Sequence, residues 1–165
     1  MAAAAPSPIG PEQAALITGP VSIVASSRDA ELRPHLMRPA GCRLSEDRRR
    51  LTLVLPRAGS RQLLDDVAAN RRIAVVFSEP SSNRTLQLKG HDAVVATCGP
   101  DDAALARRHL DGFAAAIGRL GFAHEVAQTL LAHDPELVAV HFTIAEAYEQ
   151  TPGPSAGKPL AAPAR

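Results

Sequence analysis

The segment from residue 51 to residue 90 constrains the fold most, because it sets three short strand-like runs around a single helix. Residues 51–55 and 73–77 are largely apolar, which predicts buried strands. In residues 85–90 apolar and polar side chains alternate, so one face of this strand is expected to enter a core. The helix is predicted over residues 60–70, with its apolar side chains on one stripe.

The rest of the chain adds short strands without the regular strand-helix alternation of a parallel sheet. Pro34 and Pro39 interrupt one extended segment, which limits it to a sheet edge or to bulged pairing. The nearly all-apolar last strand is expected to be central. Six strands are predicted, at residues 21–26, 32–44, 51–55, 73–77, 85–90 and 137–143, and helices at residues 10–16, 60–70, 100–121 and 122–133. This order predicts a mainly β fold with peripheral helices (α+β), arranged as a mostly antiparallel barrel.

Length and composition bound the organisation of the chain. The 165 residues fit one domain, expected at residues 11–150 between a flexible N-terminus at 1–10 and a Pro/Gly/Ala-rich tail at 151–165. A net charge of +1 gives no global field for nucleic acid or an anionic membrane, and no apolar run reaches the length of a membrane span. Cys42 and Cys98 predict neither a disulfide framework nor a zinc site, and the six histidines lack metal-ligand spacing. We therefore expect a cytoplasmic protein that binds no nucleic acid, membrane or metal.

The start of the helix predicted from residue 60 is the strongest indication of a ligand site. The first N–H groups of a helix lack intrahelical partners and its dipole is positive there, so a phosphate group is favoured. Ser60 and Arg61, with Arg57, would donate hydrogen bonds to that phosphate. Considered alone, Ser60 is favoured as an ordinary N-cap, and the two roles are compatible.

Three other patterns carry weaker functional hypotheses. Thr85, Gln87 and Lys89 form a polar row that either borders a bound ligand or faces solvent. Among the histidines His35 is the better catalytic candidate, although a surface role is favoured. Residues 153–157 match the G-x-S-x-G pattern of hydrolase nucleophiles, but the surrounding prolines exclude the strand and the helix that this motif requires.

The order of motifs resembles the pyridoxamine 5'-phosphate oxidase-like split-barrel flavoproteins, which bind FMN between two subunits. The resemblance covers about residues 11–148, and the segment 149–154 is similar to members known only as FMN-binding proteins. Its most specific parts are Gly59-Ser60-Arg61 at a helix start, the segment 70–77 and the strand at 84–90. The resemblance implies a six-stranded antiparallel FMN-binding split barrel, a homodimer and two cofactor sites across the dimer interface.

The same resemblance implies which residues bind FMN. Arg61 and Ser60 would bind the phosphate, whereas Leu55 and Pro56 would lie along the ribityl chain and the ring. Backbone groups of Met37 and Arg38 would contact the edge of the isoalloxazine, and Thr85 stands where the family often has a flavin-contacting Gln. The expected cofactor-binding residues are Met37, Arg38, Leu55, Pro56, Arg57, Ser60, Arg61, Gln62, Thr85 and Gln87.

Two departures from the family pattern limit what the resemblance implies. Gln62 stands where the oxidases commonly have a second cation, which leaves Arg57 or Arg38 to supply the charge. The chain has no Trp and lacks the C-terminal Trp- and Arg-rich substrate segment of the true oxidases, so a vitamin B6 oxidase is not expected. The leading hypothesis is a cytoplasmic FMN-dependent oxidoreductase with a small-molecule substrate. The alternatives are a non-catalytic flavin or haem binding or sensor protein on the same barrel, and a structural dimer without a cofactor.

Overall fold

The structure is a computed structural model that describes residues 8–131 and 136–160. Residues 1–7 of the expected flexible N-terminus, residues 132–133 of a predicted helix and residues 161–165 of the tail lie outside the described residues. Ile9 belongs to the hydrophobic core and is 2% exposed, and Gly10 directly precedes the first helix.

The described residues form nine strands in two antiparallel sheets. Sheet A has the order β2-β1-β5-β6-β9 and sheet B the order β3-β4-β8-β7, and neither closes into a continuous barrel. The strands are β1 (Ser22–Arg28), β2 (Pro34–Met37), β3 (Gly41–Leu44), β4 (Arg50–Pro56), β5 (Ile73–Ser78), β6 (Thr85–Gly90), β7 (Val94–Thr97), β8 (Leu137–Thr143) and β9 (Glu146–Glu149). This confirms the predicted mainly β class with peripheral helices.

The predicted count of six strands is wrong, because one predicted strand is two and two further strands were not predicted. The segment 32–44 divides into β2 at the edge of sheet A and β3 at the edge of sheet B, since Pro39 has no N–H to donate to a sheet. The two additional strands, β7 and β9, are each four residues long and lie at the other edges of the two sheets. The predicted central position of β8 is confirmed, because it pairs with both β4 and β7.

The core lies between the inner faces of the two sheets. Strands β1, β5 and β6 alternate buried and partly exposed residues, as expected for a sheet with one covered face. In β4 six consecutive residues are buried, because Val54 on the outer face packs against Ala40 and against Ala106 of a helix. Sheet B is therefore covered on both faces at this point.

Four α-helices surround the sheets in the described part of the chain. They are α1 (Pro11–Ile17), α2 (Arg61–Asn70), α3 (Asp102–Gly118) and α4 (His124–Leu131). Helix α2 contacts β1 and β2 of sheet A and β7 of sheet B, so it spans the gap between two sheet edges. Helices α3 and α4 pack on each other through a small cluster that includes Phe113 and Leu131. The turn after α3 has Gly121 at φ +89°, a left-handed conformation that favours glycine.

Gly90 of sheet A lies directly against Phe142 of sheet B, which leads to a test of the fold. A Cβ atom on Gly90 would lie 2.8 Å from Cγ and 2.9 Å from Cβ of the buried Phe142 in sheet B. Gly90→Ala is expected to lower the free energy of unfolding by about 1–3 kcal/mol through overpacking. Gly118→Ala is the control, because a Cβ there meets no atom within 4 Å. Equal urea midpoints for the two variants would contradict this packing.

Candidate functional site

The start of helix α2 combines a buried hydroxyl with the positive end of the helix. The chain turns through a short 3-10 segment, Ala58–Ser60, directly after β4. Ser60 is 1% exposed, and its Oγ has no hydrogen-bond partner among the described residues. It occupies the N-cap position without a side-chain capping bond, so the favoured capping role does not hold for its hydroxyl. A buried polar atom without a partner is costly in a folded protein, and a ligand at the helix start would remove that cost.

Arg57 and Arg61 line one groove of about 490 Å³ beside this helix start. The groove also contains Leu64 and Asp65 of α2 and Val95 of β7. Arg61 is exposed and forms no ion pair within the described ranges, so its charge is free to bind an anion.

The other residues predicted at the helix start are less available for a charge contact. Arg57 Nε lies 2.7 Å from Glu136 Oε1, so its charge is already offset. Gln62, one position after Arg61, is exposed and neutral. Leu55 is fully buried in the core and Pro56 pairs with Leu137, so the end of β4 presents no free apolar side chain to a ligand.

A second group, which contains the predicted site residues Arg38 and Thr85, lies on the outer face of sheet A. Ser22, Ser78 and Thr85 stand opposite one another on β1, β5 and β6. Ser78 Oγ and Thr85 Oγ1 are 2.9 Å apart, and Arg38 Nη1 donates a hydrogen bond of 2.8 Å to Ser22 Oγ. Because this partner of Arg38 is neutral, the interaction leaves the guanidinium charge uncompensated. The result is a row of hydroxyl groups with one cation at its end, which we call the hydroxyl row (Arg38, Ser22, Ser78 and Thr85).

The C-terminal segment extends this group along strand β6. The N–H of Thr85 donates to Thr151 Oγ1 at 2.9 Å, and Gln150 Nε2 lies 3.4 Å from Gln87 Oε1. Beyond this point the chain folds back, because the N–H of Leu160 donates to the carbonyl of Ala147. The described part of the tail therefore packs against sheet A. Residues 153–157, which match the hydrolase pattern, form an exposed bend and turn without the required strand or helix.

Met37 connects the two groups of predicted site residues. Its neighbour Arg38 belongs to the hydroxyl row, whereas its own side chain reaches the 3-10 segment. A Cβ on Gly59 would lie 2.8 Å from Met37 Cε, so the Met37 side chain packs closely against the backbone of this segment. The structure thus brings Met37 beside the helix start and Arg38 beside Ser22, at the opposite end of the hydroxyl row from Thr85. It shows no direct contact between the described side chains of Arg61 and those of Thr85 or Gln87.

Sequence reasoning missed a buried polar cluster below helix α2. Asp66 is 6% exposed, and its Oδ2 accepts a hydrogen bond of 2.6 Å from Ser27 Oγ and lies 2.7 Å from His35 Nδ1. These contacts join β1, β2 and α2, so they hold the edge strand that carries Met37. His35 is therefore largely covered by α2 and not on an open surface. The polar residue Asp66 within the apolar stripe of α2 was the available signal.

The described part of the chain contains neither a metal site nor a membrane span. No group of three or more His, Cys, Asp or Glu residues within it is arranged to hold a metal ion. No helix among these residues is long and apolar enough to cross a bilayer.

Comparison with known proteins identifies the fold. No family model and no curated protein matches the chain. Among solved structures, the chain is similar to HupZ of Group A Streptococcus, with a TM-score of 0.55 and 16% identity over 90% of this chain and 99% of that one. It is also similar to a candidate pyridoxamine 5'-phosphate oxidase of Lactobacillus delbrueckii, with a TM-score of 0.53 and 15% identity over 85% and 93% of the two chains. The predicted resemblance to the pyridoxamine 5'-phosphate oxidase-like split barrel is thereby confirmed at the level of the fold.

The unpartnered hydroxyl of Ser60 gives a test that separates a ligand contact from a structural role. Ser60→Ala in the ligand-free protein is expected to leave the free energy of unfolding unchanged or to raise it by up to about 1 kcal/mol, because it removes an unsatisfied buried group. Replacement of a capping serine by alanine would instead lower the free energy of unfolding by about 1 kcal/mol. Urea unfolding of the two proteins measures the difference, and a destabilised variant would contradict the geometry described here.

Proposed function

We propose that this split-barrel chain is an FMN-binding flavoprotein, and that it acts as an oxidoreductase on an unidentified small molecule. The observation that carries the proposal is the buried Ser60 hydroxyl, which lacks a hydrogen-bond partner among the described residues at the positive end of α2. The fold shared with a candidate pyridoxamine 5'-phosphate oxidase and the Gly59-Ser60-Arg61 motif support the same ligand.

The residues at the helix start fit the phosphate of FMN. Ser60 Oγ and the N–H groups of the first turn of α2 would donate hydrogen bonds, and Arg61, which forms no ion pair with a described carboxylate, would supply a positive charge. Gln62 adds a neutral amide where a second cation is common in the family. Arg38 is the better source of that second charge, because Arg57 is paired with Glu136.

The outer face of sheet A fits the flat part of the cofactor. The hydroxyl row and Gln87 provide polar groups on a surface that also carries the partly exposed side chains of Val24 and Val76. When bound, FMN would supply hydride or electron transfer at its N5 atom. The chain's own residues would orient the ring and limit the access of water. We do not propose the substrate of a true vitamin B6 oxidase, because the chain has no Trp and lacks the Trp- and Arg-rich substrate segment of those enzymes.

A homodimer would complete such a site. A flat ligand that lies on one sheet face needs a second surface to cover it. Leu36, at the edge of sheet A, is 63% exposed and adds apolar area to this face. The pairing of two equivalent faces is the usual arrangement of a symmetric dimer. Both cysteines are free, which supports the proposed cytoplasmic location.

Replacement of Arg61 tests the phosphate site. Arg61→Ala is expected to raise the dissociation constant of FMN by about tenfold to 100-fold, because it removes a charge-assisted hydrogen bond. Arg107→Ala is the matched control, since Arg107 is exposed on α3 and its loss changes the net charge equally. Titration followed by flavin fluorescence measures both constants, and thermal unfolding checks that both variants fold. Equal affinities in the two variants would remove Arg61 from the site.

Catalysis and simple binding are separated by a second measurement on the FMN complex. An oxidoreductase is expected to show bleaching of the flavin absorption when a reduced nicotinamide is added without oxygen, followed by reoxidation when an acceptor is supplied. A bound flavin that resists reduction by nicotinamides would favour the non-catalytic alternative.

A further inference from the structure

The outer face of sheet A has a second polar region at the end opposite the hydroxyl row. There a depression of about 310 Å³ lies between the ends of β1, β5 and β6. Its basic lining residues are Arg28, Arg72, Lys89 and His91, and none of its lining residues is acidic. We call this region the basic depression.

Two of the four basic groups have no carboxylate partner within the described ranges. Arg28 Nη1 donates a hydrogen bond of 3.1 Å to the backbone carbonyl of Asp29, which leaves its charge uncompensated. Arg72 is exposed, and none of the ion pairs of the described residues involves it. Arg28 and Arg72 therefore contribute two permanent positive charges to the lining of one depression.

The other two basic groups share a single carboxylate. His91 Nε2 lies 2.9 Å from Glu146 Oε1, and the Lys89 ammonium lies 4.6 Å from the centre of the Tyr148 ring. Lys89 and His91 both lower the pKa of Glu146, after the hydrogen bond from Tyr148, so this carboxylate is ionised near neutral pH. Glu146 offsets one charge at most, and the depression retains a net positive charge.

We propose that the basic depression binds the phosphate or pyrophosphate group of a small molecule. Like charges around one cavity repel each other, and an anion between them removes that repulsion. Guanidinium groups present paired N–H donors that match phosphate oxygens. Three permanent cations suit a group that carries two or more negative charges better than they suit a single carboxylate.

The depression is separate from the proposed phosphate site at the start of α2. Arg61 lies in a groove with Val95 of sheet B, whereas the depression lies on the outer face of sheet A. Lys89 is two residues from Gln87 on the same face of β6, a distance of about 7 Å along the strand. A phosphorylated molecule held here would extend toward the surface proposed for the flavin ring, yet its binding does not require the flavin.

Tyrosine fluorescence offers a direct test with inorganic pyrophosphate as the probe. The chain has one tyrosine and no tryptophan, so this emission reports on Tyr148, which contacts Lys89. Pyrophosphate is expected to change the emission of the purified full chain saturably, and to bind less tightly as sodium chloride is added. Isothermal titration calorimetry measures the same binding independently of any optical signal.

Charge-matched variants make the test specific. Arg28→Gln with Arg72→Gln is expected to weaken pyrophosphate binding more than tenfold, whereas Arg107→Gln with Arg119→Gln, which removes two exposed charges from the region of α3, leaves it unchanged. The double variant in the depression should keep the affinity for FMN, because neither Arg28 nor Arg72 belongs to the proposed flavin site.

Three results would overturn the proposal. They are the absence of pyrophosphate binding by both fluorescence and calorimetry, an equal loss of affinity in the two charge-matched variants, and a loss of pyrophosphate binding in Arg61→Ala alone. The last result would assign the anion to the helix start. If the protein binds pyrophosphate but not FMN, that result would contradict the proposed function. It would still support the proposed phosphate site in the basic depression.

Discussion

The passage of the chain from one sheet to the other at residues 38–40 determines much of this structure. Pro39 and Ala40 are buried there, and the N–H of Ala40 donates to the carbonyl of Val54 in sheet B. Because Pro39 has no N–H, the extended segment cannot continue in sheet A and pairs with a new neighbour. The same break sets Met37 against the 3-10 segment and leaves Arg38 pointing along the outer face of sheet A. One backbone constraint thus positions residues of both proposed parts of the flavin site.

Near this break, two buried polar side chains differ in whether they have hydrogen-bond partners, which separates a structural contact from a proposed ligand contact. The buried Asp66 has two partners, Ser27 and His35, and holds α2 on the edge of sheet A. Ser60, six residues earlier, is as deeply buried yet its hydroxyl has no partner among the described residues. Since native proteins rarely leave such groups unsatisfied, the contrast supports the proposed contact between Ser60 and a ligand. The nearby uncompensated charges of Arg61 and Arg38 are consistent with an anion.

The sequence was informative where local patterns determine structure. Alternation in β6, the apolar run of β8 and the amphipathic stripe of α2 predicted these elements because each depends on burial of one face or both. Strands β7 and β9 were missed, since each has only four residues, too few to show a clear period in the sequence. The contact of His35 with Asp66 joins residues 31 positions apart, which no spacing pattern reveals. The basic depression is likewise assembled from three strands, so its charges are scattered in the sequence.

The absorption spectrum of the purified protein, before and after addition of FMN, tests the central claim most directly when the released chromophore is identified by mass. The account predicts a flavin spectrum that saturates at about one FMN per chain, because each chain has one helix start with the Ser60 and Arg61 arrangement. A colourless protein that fails to bind added FMN would contradict the claim, and a chromophore of another mass would assign the same surface to a different cofactor.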